Sequence, residues 1–233
     1  MYDKQYFAKK SSSTYYSAKS VVPIVTELVN PKSVVDVGCG LGEWLQAFYE
    51  EGITDYIGVD GAYVDKGQLF IPESNFRVAD LRWPLTITRT FDLAVCLEVA
   101  EHLSAESACV FIKTLIKLAP VVLFSAAIPL QGGREHVNEQ WPEYWAELFG
   151  EHDYIAIDAI RRRIWHDKTI SVWYRQNMFL FVNAKALAKN NTLLKLSTTA
   201  NSTMLSVVHP ELYLWKHKQN TGQHDYMKSG AGR

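Results

Sequence analysis

The stretch Val34-Val35-Asp36-Val37-Gly38-Cys39-Gly40-Leu41-Gly42-Glu43 limits this chain more than any other. A β-branched run and an acid lead into glycines at alternate positions, and Trp44-Leu45-Gln46-Ala47-Phe48 continues with helical apolar spacing. The pattern reads as strand, tight turn, helix. Glycine is needed where the backbone takes positive φ or lets a ligand approach to contact distance, and the helix that follows offers N–H groups at its positive end. Such a turn suits a nucleoside ligand with an anionic or polar tail. A dinucleotide is not expected, because that fingerprint spaces its glycines G-x-G-x-x-G.

Further along, Tyr56-Ile57-Gly58-Val59-Asp60 reads as a second strand closing on an acid, Ala79-Asp80-Leu81 as a turn, and Phe91 to Leu97, followed by Glu98, as a fourth strand. Four such stations in this order resemble class I S-adenosylmethionine-dependent methyltransferases over roughly Val34 to Asn183. The resemblance implies an α/β fold: a Rossmann-like seven-stranded methyltransferase sheet, last strand antiparallel, with helices on both faces. It also implies S-adenosylmethionine as cofactor. Asp36, Gly38, Gly40 and Gly42 would form the loop around it. Asp60, followed by Gly61, would take both ribose hydroxyls, for which a carboxylate has enough lone pairs. Asp80 and Leu81 would meet the adenine, and Leu97 and Glu98 would bring the fourth strand to the cofactor.

With 233 residues, 48% of them hydrophobic, the chain suits one full core with an appendage: a methyltransferase domain over 1–183 with an N-terminal helix and lid, and a C-terminal appendage over 184–233, partly disordered and loose after Gln219. A formal net charge of −1 gives no general attraction to nucleic acid or anionic membrane. No apolar run reaches membrane-spanning length and the N-terminus lacks a signal-peptide core, so a cytoplasmic location is expected. The scattered Cys39, Cys96 and Cys109 suggest reduced thiols. A helix is expected over 21–29, with Tyr15 and Tyr16 before it as lid candidates, then helices over 104–118 and 142–149 and strands over 120–128, 154–164 and 178–182. Arg161-Arg162-Arg163 is read as a solvated sheet edge, since alternate strand residues face opposite ways.

Chemistry in an open α/β sheet belongs at the carboxyl ends of the strands. Methyl transfer from a sulfonium is an in-line displacement, so a hydroxyl acceptor must be aimed, shielded from water and relieved of its proton. Histidine is best matched to the last task. His136, in a polar loop beside Trp141, Tyr144 and Trp145, is the expected base, with those rings as a flat wall; His102 would support substrate or the helix start. A metal is the alternative. Glu98, Glu101 and His102, with His136, resemble the metal site of small-RNA 3′-terminal 2′-O-methyltransferases, and the first three also resemble ubiquinone-pathway O-methyltransferases. A divalent ion such as Mg, Mn, Co or Zn there would lower the pKa of the acceptor oxygen. The metal-free version is favoured.

The sequence thus points to a methyltransferase acting on an oxygen of a small-molecule acceptor such as a sugar or secondary metabolite. The stretch from His136 to Trp145 and the later His209-Pro210-Glu211-Leu212-Tyr213 resemble bacterial methyltransferases of surface-glycan or secondary-metabolite pathways. A non-catalytic nucleoside-binding protein of the same fold is the second reading. A nicotinamide oxidoreductase is disfavoured by the glycine spacing.

Overall fold

The computed structural model describes residues 4–199 and 204–221. The chain runs α1 (Lys4–Val29), β1 (Ser33–Val37), α2 (Glu43–Glu50), β2 (Asp55–Asp60), β3 (Phe76–Val78), β4 (Leu93–Leu97), α3 (Ala105–Leu118), β5 (Val121–Ser125), α4 (Pro142–Gly150), β6 (Tyr154–Ile157), α5 (Arg161–Ile164), α6 (Val172–Asn177), β7 (Phe179–Asn183), α7 (Ala184–Lys189), α8 (Asn191–Thr199) and α9 (Pro210–Thr221). The sheet has seven strands in the order β3-β2-β1-β4-β5-β7-β6. β7 runs antiparallel to both of its neighbours, and the other pairs are parallel.

The central strands are largely apolar because both faces of the sheet are covered, and successive side chains feed opposite cores. Leu93, Val95 and Leu97 of β4 join a core with Val21 and Val25 of α1 and Leu45 and Phe48 of α2. Ala94 and Cys96 join the other, with Phe111 and Leu115 of α3 and Phe149 of α4. In that second core the Phe149 and Phe181 rings stack with centroids 4.0 Å apart. α1 is longer than the expected helix because Ala18, Val21, Val22, Val25 and Leu28 make one buried stripe that needs helical spacing; Pro23 falls on the exposed side of it. Among the described residues no helix is long and apolar enough to cross a membrane.

Two expectations change between β6 and β7. The strand read over 154–164 stops at Ile157, and the basic triplet lies in the short α5. Arg161 is buried rather than solvated: its guanidinium donates to both oxygens of Asp158 at 3.1 and 2.7 Å and to the Leu205 carbonyl at 2.7 Å. A short-range ion pair thus folds the chain back after β6, leaving Arg162 and Arg163 outside. α6, unread in the sequence, contributes a second buried arginine. Arg175 donates to the carbonyls of Ile170 at 3.0 Å and Trp165 at 3.3 Å, and to Glu211 Oε2 at 2.5 Å.

These arginines grip the residues after 203. Leu205 and Leu212 are buried, and His209 is held on both sides: its Nδ1 accepts from the Glu211 N–H at 3.1 Å and its Nε2–H donates to the Trp165 carbonyl at 2.8 Å. Leu193 of α8 is buried against the α1 side, where Asn190 donates to the Leu28 carbonyl at 2.8 Å. Leu193, Leu205, His209 and Leu212 thus anchor residues 184–199 and 204–212 to the sheet domain, while most side chains between them are exposed. The tail expected to be loose after Gln219 continues α9 to Thr221, and the rest of it lies outside the described residues.

Candidate active site

Strand order reverses between β1 and β4, and a cavity of about 1040 Å³ opens at the carboxyl ends of β1, β2 and β4. This is where an open α/β sheet accepts ligands. Its first wall is the glycine turn. Gly38, Gly40 and Gly42 have φ of 86°, 56° and 87°, all left-handed, where other residues are strained. The turn is tied to β2 by the N–H groups of Gly38 and Cys39, which donate to the Val59 carbonyl at 2.8 and 3.2 Å. The glycines do different things. A Cβ at Gly38 would lie 2.3 Å from Val99 Cγ2 and one at Gly42 2.9 Å from Ile71 Cγ1, whereas at Gly40 nothing but Glu43 Oε2, 3.9 Å away, lies near. Gly40 is the one whose missing side chain leaves room in the cavity. Gly42 does not line it and serves the packing of the turn on Ile71.

The cavity is acidic. Asp36, Glu43, Asp60, Asp80, Glu98 and Glu135 line it, with Arg82 as the basic residue among its described walls. Arg82 is already engaged, donating through Nε and Nη2 to the Asp80 carboxylate at 2.9 and 2.6 Å, which holds Asp80 below the usual carboxylate range. Asp60 closes the nucleoside end. Its Oδ2 accepts from the Gly40 N–H at 2.7 Å and its Oδ1 from the Gly61 N–H at 2.6 Å and from the Tyr63 hydroxyl. Asp36 is buried, and its Oδ2 has no hydrogen-bond partner. A buried carboxylate facing two others is costly unless a cation arrives. S-adenosylmethionine carries an ammonium and a sulfonium, so these residues fit it.

The burial of Asp36 pushes its carboxyl well above the ordinary range, and the charges of Asp60 and Glu43 push the same way. A raised folded-state pKa contributes stability that is present below the unfolded value and is lost as pH rises through the folded one. The free Asp36→Asn protein should therefore melt higher than wild type at pH 8, with the gap closing in acid. Its affinity for S-adenosylmethionine should fall roughly tenfold, the scale of one charge-assisted hydrogen bond. Melting curves across pH and calorimetric titration check the two halves separately.

Beyond the nucleoside end, β4 leaves the sheet through Glu98, whose φ of 55° is left-handed. Its N–H donates to the Ser125 carbonyl at 3.0 Å, and its carboxylate accepts from Gln131 Nε2 at 3.1 Å and Asn177 Nδ2 at 3.2 Å. Gln176 extends these amides to the C-terminal segment, donating to Asn177 Oδ1 at 2.9 Å and accepting from the His209 N–H at 2.7 Å. A short turn over Ala100–His102 follows. The Glu101 carbonyl accepts from the N–H groups of Val137 and Asn138 at 2.9 and 3.0 Å, which draws the loop after β5 alongside. His102 and His136 thereby meet edge to face with centroids 4.9 Å apart. His102 Nδ1 lies 3.3 Å from the Glu135 carbonyl oxygen, and His136 Nδ1 is 2.8 Å from Glu139 Oε1. Ligand atoms of Glu101, His102 and His136 lie within 4.8 Å of one another, an arrangement able to hold a metal.

Asp36, Gly38, Gly40, Asp60, Gly61, Asp80, Leu81, Leu97, Glu98 and His102 are thus brought together at one cavity; Gly42, Glu101 and His136 do not line it. His136 stands behind His102, paired to Glu139 and seated so closely on Gly133 that a Cβ there would lie 2.1 Å from its Nε2. It lies in the loop after β5, as read from the sequence, largely covered and off the cavity wall. The expected aromatic wall is also displaced. Trp145 is buried against Phe124, Tyr144 stands edge-on to Trp145 and Trp141 is exposed, and none of the three lines the cavity. The aromatic residues at the cavity are Trp44, Tyr63 and Tyr174 instead. Tyr174 stands edge-on to Trp44 at 5.2 Å, and its burial raises its hydroxyl pKa. Of the lid candidates, Tyr15 bonds Glu50 and Tyr16 is exposed; Thr14, one helical position away, reaches the cavity. Glu98 is also parted from the metal-ligand group, its carboxylate being held by the amides of Gln131 and Asn177.

Residues 9–175 match a protein family described as a methyltransferase domain. No curated protein matches the chain in sequence. Solved structures do match in fold. The methyltransferase domain of the bacterial protein CtHen1 is 21% identical with a TM-score of 0.52, covering 71% of this chain and 97% of that one. A sugar N-methyltransferase from Streptoalloteichus is 15% identical with a TM-score of 0.56, covering 72% of this chain and 87% of that one. Magnesium protoporphyrin IX methyltransferase from Synechocystis, solved with bound S-adenosylmethionine, is 19% identical with a TM-score of 0.52, covering 72% and 80%. A family match over most of the chain, a sheet of this order and an acid-lined glycine turn at its switch point agree, and the chain belongs to the class I S-adenosylmethionine-dependent methyltransferases.

Proposed function

We propose that this methyltransferase acts on a hydroxyl oxygen of a small molecule, a sugar or secondary metabolite, with His102 as general base. The observation that carries the reading is the place of His102 on the cavity wall, past Glu98 and beside Glu135. The cavity, about 1040 Å³, stands at the top of the roughly 300–1,000 Å³ range of small-molecule sites, leaving space for an acceptor beside the cofactor. Its carboxylates disfavour a polyanionic acceptor such as nucleic acid. The fold relatives support a small acceptor by their own names, one being a sugar N-methyltransferase.

Bound S-adenosylmethionine supplies a methyl group on a positively charged sulfur. The chain's part is to hold and to deprotonate. Asp60 and the glycine turn fix the nucleoside, and Asp36 and Glu43 put negative charge beside the cationic tail. With a proton on Nδ1 turned to the Glu135 carbonyl, His102 would present the Nε2 lone pair to the acceptor hydroxyl and take its proton as the oxygen bonds the methyl carbon and that carbon leaves the sulfur, which keeps the bonding pair. His136 and Glu139 brace that ring from behind.

A second reading is favoured by the closeness of Glu101, His102 and His136: a divalent ion held there would bind and acidify the acceptor oxygen. One experiment separates them. Hydroxylated sugars and aromatic metabolites are screened with methyl-labelled S-adenosylmethionine, with and without EDTA. Labelled O-methyl product that persists in EDTA supports the histidine base. Loss in EDTA, restored by one divalent ion, establishes the metal reading, and label appearing on nitrogen alone removes the O-methylation proposal.

A further inference from the structure

Asp60 carries too many partners to take a ribose as it stands. An ionised carboxylate offers about four lone-pair sites. Gly40 N–H, Gly61 N–H and the Tyr63 hydroxyl occupy three of them. Two ribose hydroxyls need two, so one present donor must leave. The backbone N–H groups are fixed: Gly40 belongs to the turn bonded to β2, and Gly61 directly follows β2. Tyr63 differs. The residue is 64% exposed, its side chain hangs on rotatable bonds, and it reaches Asp60 because residue 61 is glycine. A Cβ at Gly61 would lie 2.3 Å from Tyr63 Cε1, so any side chain there would drive the ring away. Tyr63 lines the same cavity as Asp60, Ala79, Asp80 and Leu81.

We infer that Tyr63 is a cofactor-site residue whose phenol stands in for one ribose hydroxyl on Asp60 and is displaced when S-adenosylmethionine binds. This rests on Asp60 being the ribose partner. The phenol satisfies a buried carboxylate until the nucleoside takes its place, and its release lowers the net affinity for the nucleoside. Once turned from Asp60, the ring remains at the nucleoside end, where an aromatic face suits a purine.

Calorimetric titration of the full chain with S-adenosylmethionine and S-adenosylhomocysteine tests this without any acceptor. Tyr63→Phe keeps the ring and removes the competing donor, so it should bind both ligands about two- to tenfold more tightly, the range of one net hydrogen bond. Asp60→Ala should weaken binding about tenfold or more. In the Asp60→Ala background, Tyr63→Phe should change nothing further, because the two act through one carboxylate. Weakened binding in Asp60→Ala together with unchanged or weaker binding in Tyr63→Phe would overturn the role of Tyr63 alone. Unchanged affinity in Asp60→Ala would overturn the ribose assignment and the role of Tyr63 with it. Tyr63 is exposed, so the phenylalanine variant is expected to fold normally.

Discussion

Replacing His102 with alanine should lower methyl transfer about a hundredfold or more while the affinity for S-adenosylmethionine stays within twofold, since general-base catalysis is worth ~10² to 10⁴. The reason is geometric. His102 lies on the cavity wall with its Nδ1 3.3 Å from the Glu135 carbonyl oxygen, whereas Asp36 and Asp60 lie on β1 and β2 and Gly38 and Gly40 in the turn after β1. His136→Ala should cost less, about tenfold, because His136 touches the back of the His102 ring rather than the cavity. Turnover and calorimetry on both variants check the pair. Equal, near-complete losses at His102, His136 and Glu101, with rescue by added metal, would transfer the role to a bound ion. Activity surviving His102→Ala at neutral pH would remove the base from this residue.

Gly38→Val should damage the fold itself. At φ 86° a branched side chain is strained by about 1 to 3 kcal/mol, and the added Cβ meets Val99 Cγ2 at 2.3 Å on the loop that carries Glu98 and His102. Overlap with packed atoms adds a cost of about 1 to 3 kcal/mol. A fall in melting temperature of about 5 to 20 °C follows for a chain of this size, along with loss of measurable cofactor binding. Gly40→Ala is the contrast. Its new Cβ finds open space, so stability should drop by about 1 kcal/mol while affinity falls, because the methyl enters the cavity. Thermal melts and titrations of the two variants should therefore separate a glycine kept for packing from one kept for the ligand. Equal effects on both quantities at both positions would contradict that division.

The contrast between these glycines marks how far the sequence reaches. Their alternate spacing is a local property of one strand and one turn, so it is legible in a single stretch, as are the acids that end β1 and β2. The apolar runs of β4 and β5 similarly announce a sheet covered on both faces, and with them the α/β plan and the site at the strand ends. Nothing local says that Gly38 answers to Val99 and Gly42 to Ile71, because those contacts join segments distant in the chain.

The same limit explains the residues that moved. Arg161 and Arg175 look like surface charges in a sequence, and only the fold supplies the Asp158, Leu205 and Glu211 partners that allow their burial. The aromatic residues near His136 looked like a pocket because they are close in the chain; whether a ring faces ligand or core depends on which face of α4 meets the sheet. That His102 lines the cavity and His136 does not follows from two hydrogen bonds to the Glu101 carbonyl, which draw the loop after β5 alongside the turn at Ala100–His102. The sequence alone determined the fold, the cofactor and the end of the sheet where chemistry occurs, because each is encoded in short contiguous patterns. The tertiary structure alone decided which histidine reaches the cavity, that Tyr63 lies on Asp60 and that the C-terminal segment joins the Glu98 network, because each depends on side chains from separate segments meeting in space.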